Sequence, residues 1–236
     1  TDGNIKTEPA DPITIQHLLL HTSGLTYDFF QNPVAKMYIE NGVVSTAHHS
    51  SSLDGSMIAN PADLNLDQWT KRAAALPLIS QPGTAWNYSI GMNVLGRLVE
   101  VISGQSYGDF LSERIFKPLG MVDTGFHVPR EKLGRFAANY ISTPTGGMQL
   151  FDDSQTSSYR SPPTLQMGGS GLVGTAGDYL KFAQMLVNKG EYRGVRLLGK
   201  KTVEFMVSNH LTPNFPDDPT TSLNGALGAS GRAWGV

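Results

Sequence analysis

Cysteine is missing from all 236 residues, which excludes disulfides, thiolate nucleophiles and thiolate-bound zinc and leaves the cellular compartment open. Charge is scarce too. Charged side chains make up 16% of the chain, below the roughly one quarter of an ordinary soluble domain. The 18 basic and 20 acidic residues nearly cancel, and no basic run exceeds Lys200-Lys201. Nucleic acid and anionic membrane surfaces are therefore not expected partners. No apolar stretch approaches the ~18 residues that span a bilayer. The chain has no initiator Met, its first dozen residues are polar with no signal-peptide pattern, and it closes on Ala233-Trp234-Gly235-Val236. Such ends predict that N- and C-terminal segments of a longer parent chain are missing.

Helical spacing dominates what is present. Thr14 is placed to cap a short helix with Ile15, Leu18 and Leu19 on one face and Gly24 past its end. Further helices are expected over Val34–Glu40, over Asn65–Leu76 with Trp69 inward, and over Tyr88–Ile102. Ser106 with Asp109, and Thr175 with Asp178, read as capping boxes. The first opens a helix that Pro118 ends; the second opens one whose buried stripe is Tyr179, Phe182, Ala183 and Leu186, stopped by Gly190. Strand signals are short: Thr124–Val128, Ala138–Ser142, Met148–Phe151 and Val195–Leu198. Residues 43–63, rich in Ser, His, Ala and Asn, read as a long exposed loop, and 209–233 as another. The fold class expected is α+β, mostly helical.

Three segments then stand out together. They are ITIQHLLLHTSGL, from Ile13 to Leu25; PGTAWNYSIGMNVLGRLVE, from Pro82 to Glu100, followed by IFKPLGM at Ile115–Met121; and GGSGLVGTAGDYLKFAQMLVNKG, from Gly168 to Gly190. In this order and at these distances the chain resembles the serine β-lactamase-related hydrolases, nearest to class C β-lactamases, penicillin-binding proteins and family VIII carboxylesterases. The resemblance implies a β-lactamase/transpeptidase-like fold: a mainly helical subdomain over about 14–120, then short strands, the 175–189 helix and loops over about 121–236. It implies a cofactor-free acyl-enzyme mechanism on a small ester or amide substrate.

That chemistry needs a serine and lysine in S-x-x-K, one helical turn apart. A second motif, Tyr-x-Asn or Tyr-Ser-x, supplies a phenol, and a third, near the C-terminus, lines the oxyanion site. Tyr88-Ser89-Ile90 matches the second. An ordinary tyrosine, with a pKa of about 10, is a poor base at neutral pH. The expected helix start at Tyr88 would favour its phenolate, and in the family the motif lysine does so more strongly. The resemblance makes Tyr88 the general base. It gives Ser89, Gly169 and Ser170 as substrate-side residues, with Ser89 also readable as purely structural. Ile90 in place of Asn suits the esterase-like branch.

The nucleophile is another matter. The residues three before each lysine are Gly3, Pro33, Gln68, Arg114, Pro129, Asp178, Leu186, Leu197 and Leu198, none of them serine. The S-x-x-K and third motifs are expected outside this chain, so it is expected to be inactive alone. Competing readings are weaker on chemistry. Ser23 beside His21 has no spatial partner assured. His17 and His21 would share a helix face as zinc ligands do, but leucines fill the gap and no Glu follows His17, so no metal is expected. Gly169-Ser170-Gly171-Leu172-Val173-Gly174 spells a dinucleotide fingerprint without its apolar strand before or acidic residue after. A non-catalytic module that keeps a hydrolase body is the alternative from another class.

Overall fold

The computed structural model describes residues 7–45, 50–51, 57–58, 64–143 and 146–211. Short helices, several of them started by a side chain that accepts from the first turn, set the layout. Thr14 and His17 close a reciprocal capping box on α1 (Ile15–Leu19), and Asn32 caps α2 (Pro33–Glu40) with Pro33 in its first turn. A two-residue ladder, β1 (Ser50–Ser51) with β2 (Met57–Ile58), precedes α3 (Leu66–Ala74), which Asn65 and Gln68 cap reciprocally. Helix α4 (Gly91–Ser103) is the longest and ends on left-handed Gly104.

A continuous helical stretch follows: α5 (Tyr107–Leu111), a π-helical turn (Ser112–Phe116) and α6 (Lys117–Leu119). The stretch closes one residue past Pro118, at Leu119, with left-handed Gly120 as its cap. The π-helical turn before it brings the Lys117 N–H to the Ser112 carbonyl. After a 3₁₀ turn at Arg130–Arg135 come the hairpin β3 (Asn139–Ser142) and β4 (Met148–Asp152), then α7 (Ala176–Val187). A tight pair, β5 (Glu191–Tyr192) with β6 (Val195–Arg196), leads to α8 (Lys200–Met206). Every ladder among the described residues is antiparallel.

Two apolar clusters hold these elements. The larger gathers Leu18, Leu25, Val34, Tyr38, Val43, Leu66, Trp69 and Ile90 with Leu165 and Met167 from the far end of the sequence. The smaller joins Phe116, Leu119 and Met121 to Met185, with Phe182, Leu186 and Leu198 packed on it. Helix α4 and the glycine-rich segment touch backbone to backbone: a methyl on Gly168 would lie 2.0 Å from the Met92 carbonyl oxygen. Only glycine permits that approach.

Several expectations change. Residues 43–45 are buried rather than looped out, because Val43 and Val44 tuck under Trp69, whose indole N–H donates to the Val44 carbonyl at 3.2 Å. His48 and His49, most of the 43–63 stretch and residues 212–236 lie outside the described residues. Thr124–Val128 forms no strand, only the single bridge Gly125–Val173. On α7 the inward face is Asp178, Phe182, Met185 and Leu186, whereas Tyr179 is 70% exposed. Helix α8 was not anticipated; Gly199 caps it without a side chain, and Val203 is its one buried residue.

Asp178 ties α7 to the preceding turn. It is 3% exposed and accepts from the Asp123 N–H at 2.7 Å and the Thr124 hydroxyl at 3.0 Å, while Lys181 sits 2.9 Å away. Burial pushes this carboxyl up. Lys181, the Asp123 N–H and Thr124 outweigh burial and hold it below the usual range. A depressed carboxylate contributes stability above its unfolded value of about 4, and loses that contribution as pH falls through the folded value. Asp178→Asn should therefore lower Tm at pH 7 and take away part of the further drop seen on acidification below about pH 4. Thermal unfolding of both proteins from pH 7 to 2 checks this; parallel Tm profiles would contradict it.

Candidate active site

The segment after α1 and the segment before α4 run side by side, and their backbone bonds decide where the tyrosines point. The Asn87 N–H donates to the His21 carbonyl at 2.8 Å, and the Ile90 N–H to the Thr26 carbonyl at 3.1 Å. Between them the Ser89 N–H donates to His21 Nδ1 at 3.2 Å. With these donors taken by a segment some 65 residues upstream, residues 87–89 stay outside regular structure, Ile90 turns as the N-cap and the helix starts at Gly91. Tyr88 thus lies two residues before the N-cap of α4 rather than in its first turn, which corrects the expected helix start.

The Tyr88 ring packs 4.9 Å from the His21 ring and 4.8 Å from the Tyr27 ring, with Trp86 stacked at 6.3 Å. Tyr27 stacks in turn on Phe29 at 4.7 Å, and Phe30 follows at 4.9 Å. The neighbourhood is thus a ladder of rings. Tyr27 is buried, and its phenol is pushed well above the ordinary tyrosine range by burial first and then by the adjacent Tyr88. It stays neutral beside Tyr88. No sequence motif pointed to Tyr27. The quoted segment ended at Leu25, and the pairing joins positions 61 apart.

The glycine-rich segment supplies the opposite wall. The Gly169 N–H donates to Asn93 Oδ1 at 2.6 Å, and a methyl on Gly169 would stand 2.8 Å from that oxygen and 3.4 Å from the Tyr27 hydroxyl. Gly169 therefore meets Tyr27 with backbone alone. Gly169→Ala should push the segment off Asn93 and cost about 1–3 kcal/mol. Urea unfolding measures this, and an unchanged midpoint would show that the wall yields freely.

Ser170 and Ser89 both make hydrogen bonds to the scaffold. The Ser170 hydroxyl donates to the Ser45 carbonyl at 3.0 Å, while the Ser45 N–H donates to buried Asp28 at 3.0 Å. Ser170 thus anchors the wall to residues 43–45. Ser89 is 0% exposed; its hydroxyl lies 3.2 Å from His21 Nδ1 and accepts from the Gly91 N–H at 3.4 Å. It supports the turn from beneath, as its structural reading has it.

His17 and His21 do not share a helix face. His17 closes the cap on Thr14, whereas His21 lies past the helix end in the left-handed region at φ 57°. Ser23 is fully buried. The Gly169–Gly174 run follows irregular chain rather than a strand, and Val173 bridges Gly125. Among the described residues no three His, Asp or Glu side chains cluster as metal ligands, and no helix is long and apolar enough to cross a membrane.

Known proteins settle the ancestry of this arrangement. A family model described as beta-lactamase matches residues 4–236. The chain belongs to the beta-lactamase family. Within it, Protein Rv1367c of Mycobacterium tuberculosis is 33% identical over 232 residues, covering 98% of this chain and 52% of that protein. The lovastatin esterase of Penicillium rubens is 30% identical over 224 residues, covering 93% of this chain and 50% of the esterase. A solved structure of the simvastatin synthase LovD from Aspergillus terreus, the LovD6 mutant, superposes with a TM-score of 0.64 at 27% identity. That superposition covers 87% of this chain and 42% of LovD. The fold is the β-lactamase/transpeptidase-like one, and this beta-lactamase-family chain spans about half the length of the curated relatives it matches.

Proposed function

We propose that this chain carries the tyrosine half of an acyl-enzyme hydrolase site, with Tyr88 as general base, completed by a serine and lysine from an S-x-x-K segment. The observation that carries the reading is the Tyr27–Tyr88 phenol pair closed by the Gly169 backbone. Tyr88, as the phenolate that the motif lysine favours, accepts the proton as the serine oxygen bonds to the substrate carbonyl carbon, and the carbonyl electrons move onto oxygen. When the tetrahedral adduct collapses, the bond to the leaving group breaks and Tyr88 returns the proton to it. Water then repeats the sequence on the acyl-enzyme and frees the acid. Tyr27, held neutral, donates to the Tyr88 oxygen and fixes its direction. Tyr88 belongs to the helical 14–120 subdomain, and the 121–236 portion brings Gly169 up to Tyr27 and Asn93.

Esters are the preferred substrate class: a carboxylesterase first, a D,D-peptidase or β-lactamase next. The rings beside Tyr88 suit an apolar acyl or alcohol group, Ile90 replaces the lactamase-type Asn, and the relatives include a lovastatin esterase and simvastatin synthase. The alternative, a non-catalytic module, makes the opposite prediction in the same experiment. Residues 1–236 carried in a longer chain that supplies both the S-x-x-K segment and the C-terminal third motif should hydrolyse p-nitrophenyl butyrate and take up a fluorophosphonate on the added serine. Residues 1–236 alone should show no fluorophosphonate adduct by intact mass, since Ser23 and Ser89 are fully buried. An adduct on the chain alone would place the nucleophile within it and overturn this mechanism. An inert longer chain would favour the non-catalytic module.

A further inference from the structure

We propose that His21 is the positioning residue for Tyr88: its unprotonated Nδ1 holds the Ser89 N–H and its ring backs the phenol, so that His21 sets where the Tyr88 oxygen lies. The proposal rests on the assignment of Tyr88 as the base. His21 is buried at φ 57°, where L side chains pay a steric penalty and where glycine or asparagine is the usual choice at the end of a helix. Backbone geometry alone would be better served by glycine. The imidazole contributes what glycine lacks.

Two contributions are on view. Nδ1 lies 3.2 Å from both the Ser89 nitrogen and the Ser89 hydroxyl oxygen, and that hydroxyl in turn accepts from the Gly91 N–H. One ring atom thus fixes the residue after Tyr88 and, through it, the first helical residue of α4. The ring itself packs 4.9 Å from Tyr88 at 55° and 6.0 Å from Trp86, so the phenol is backed on one side by His21 and on another by Tyr27. An N–H can donate to Nδ1 only when that nitrogen is bare, with the proton on Nε2. Burial lowers the His21 pKa to about 4, which keeps the ring neutral and Nδ1 an acceptor at neutral pH. A ring serving only as filler would carry no such demand on its tautomer.

Nitrogen-15 NMR of the unmodified chain provides the first test. His21 should show a bare, pyridine-type Nδ1 and a protonated Nε2 at pH 7; a protonated Nδ1 overturns the proposal without any variant having to fold. The second test compares His21→Gly, which relieves φ 57° but deletes acceptor and ring, with His21→Asn, which tolerates φ 57° and keeps an oxygen near the Nδ1 position. The readout is the Tyr88 ring carbon resonances, assigned by their loss in Tyr88→Phe. They should shift and broaden in the Gly variant and move back toward wild type in the Asn variant. Unmoved resonances in His21→Gly, or an Asn variant no nearer wild type than Gly, overturn it. A failed Tyr88 assignment would appear separately, as undiminished turnover in Tyr88→Phe, and would leave these resonances free to report on His21.

Discussion

Tyr88→Phe, made in residues 1–236 completed by the S-x-x-K segment and the third motif, should lower ester turnover by about 10²–10⁴-fold, the usual worth of a positioned general acid–base group. The substitution removes one oxygen and keeps the ring that packs against His21, Tyr27 and Trp86. Stability should therefore hardly change, while kcat and kcat/KM fall together because the lost interaction exists only as the proton moves. Tyr27→Phe separates the two phenols. It leaves Tyr88 its oxygen but takes away the donor that orients it, so its effect should be smaller and should leave a measurable rate. Turnover in Tyr88→Phe within a fewfold of the parent would remove Tyr88 from the chemistry. A Tyr27 variant as inactive as the Tyr88 variant would move the base to Tyr27, against the raised phenol there.

The difference between the two tyrosines shows what a sequence can display. Tyr88 sits inside a motif, beside Ser89 and ahead of a long amphipathic stretch, so local pattern pointed to it. Tyr27 sits in no pattern, and its role arises only when residues 21–26 and 87–90 exchange backbone hydrogen bonds. Those same bonds moved the start of α4. Ile90, Val94 and Leu98 keep helical spacing, but spacing cannot reveal that the N–H groups of Asn87, Ser89 and Ile90 are spoken for. Caps were legible because each is a contact over three residues, as at Thr14, Ser106 and Thr175. Faces were less so. Tyr179 matched the apolar stripe of α7 but points outward, because Asp178, drawn in by the Asp123 N–H and Lys181, fixes the rotation of the helix. The scaffold bonds of Ser89 and Ser170 were hidden for a shared reason: each hydroxyl reaches a partner far away in sequence, one at His21, the other at Ser45.

The largest loss of stability is expected at Trp69, whose effect should reach the site wall as well. Trp69→Ala should cost about 3–5 kcal/mol, the range for emptying a buried aromatic position, against a total of about 5–15 kcal/mol for a domain. The indole is fully buried in the larger cluster with Tyr38, Val43 and Leu66, and its N–H holds the Val44 carbonyl. Val44 precedes Ser45, whose N–H is bound by Asp28 and whose carbonyl is bound by Ser170. Trp69 is thus the inner of three anchors on one short segment, and the outer two belong to the loops that carry Tyr27 and Gly169. Trp69→Phe divides the effect, since it keeps most of the ring volume and loses the hydrogen bond, at roughly 1–2 kcal/mol. Urea unfolding of the three proteins, with unchanged m-values, gives both numbers. A Phe variant as unstable as the Ala variant would show that the hydrogen bond to Val44 outweighs packing here. The residues 43–45 would then be held chiefly by polar contacts, and the Ser170 hydroxyl would become the next one to remove.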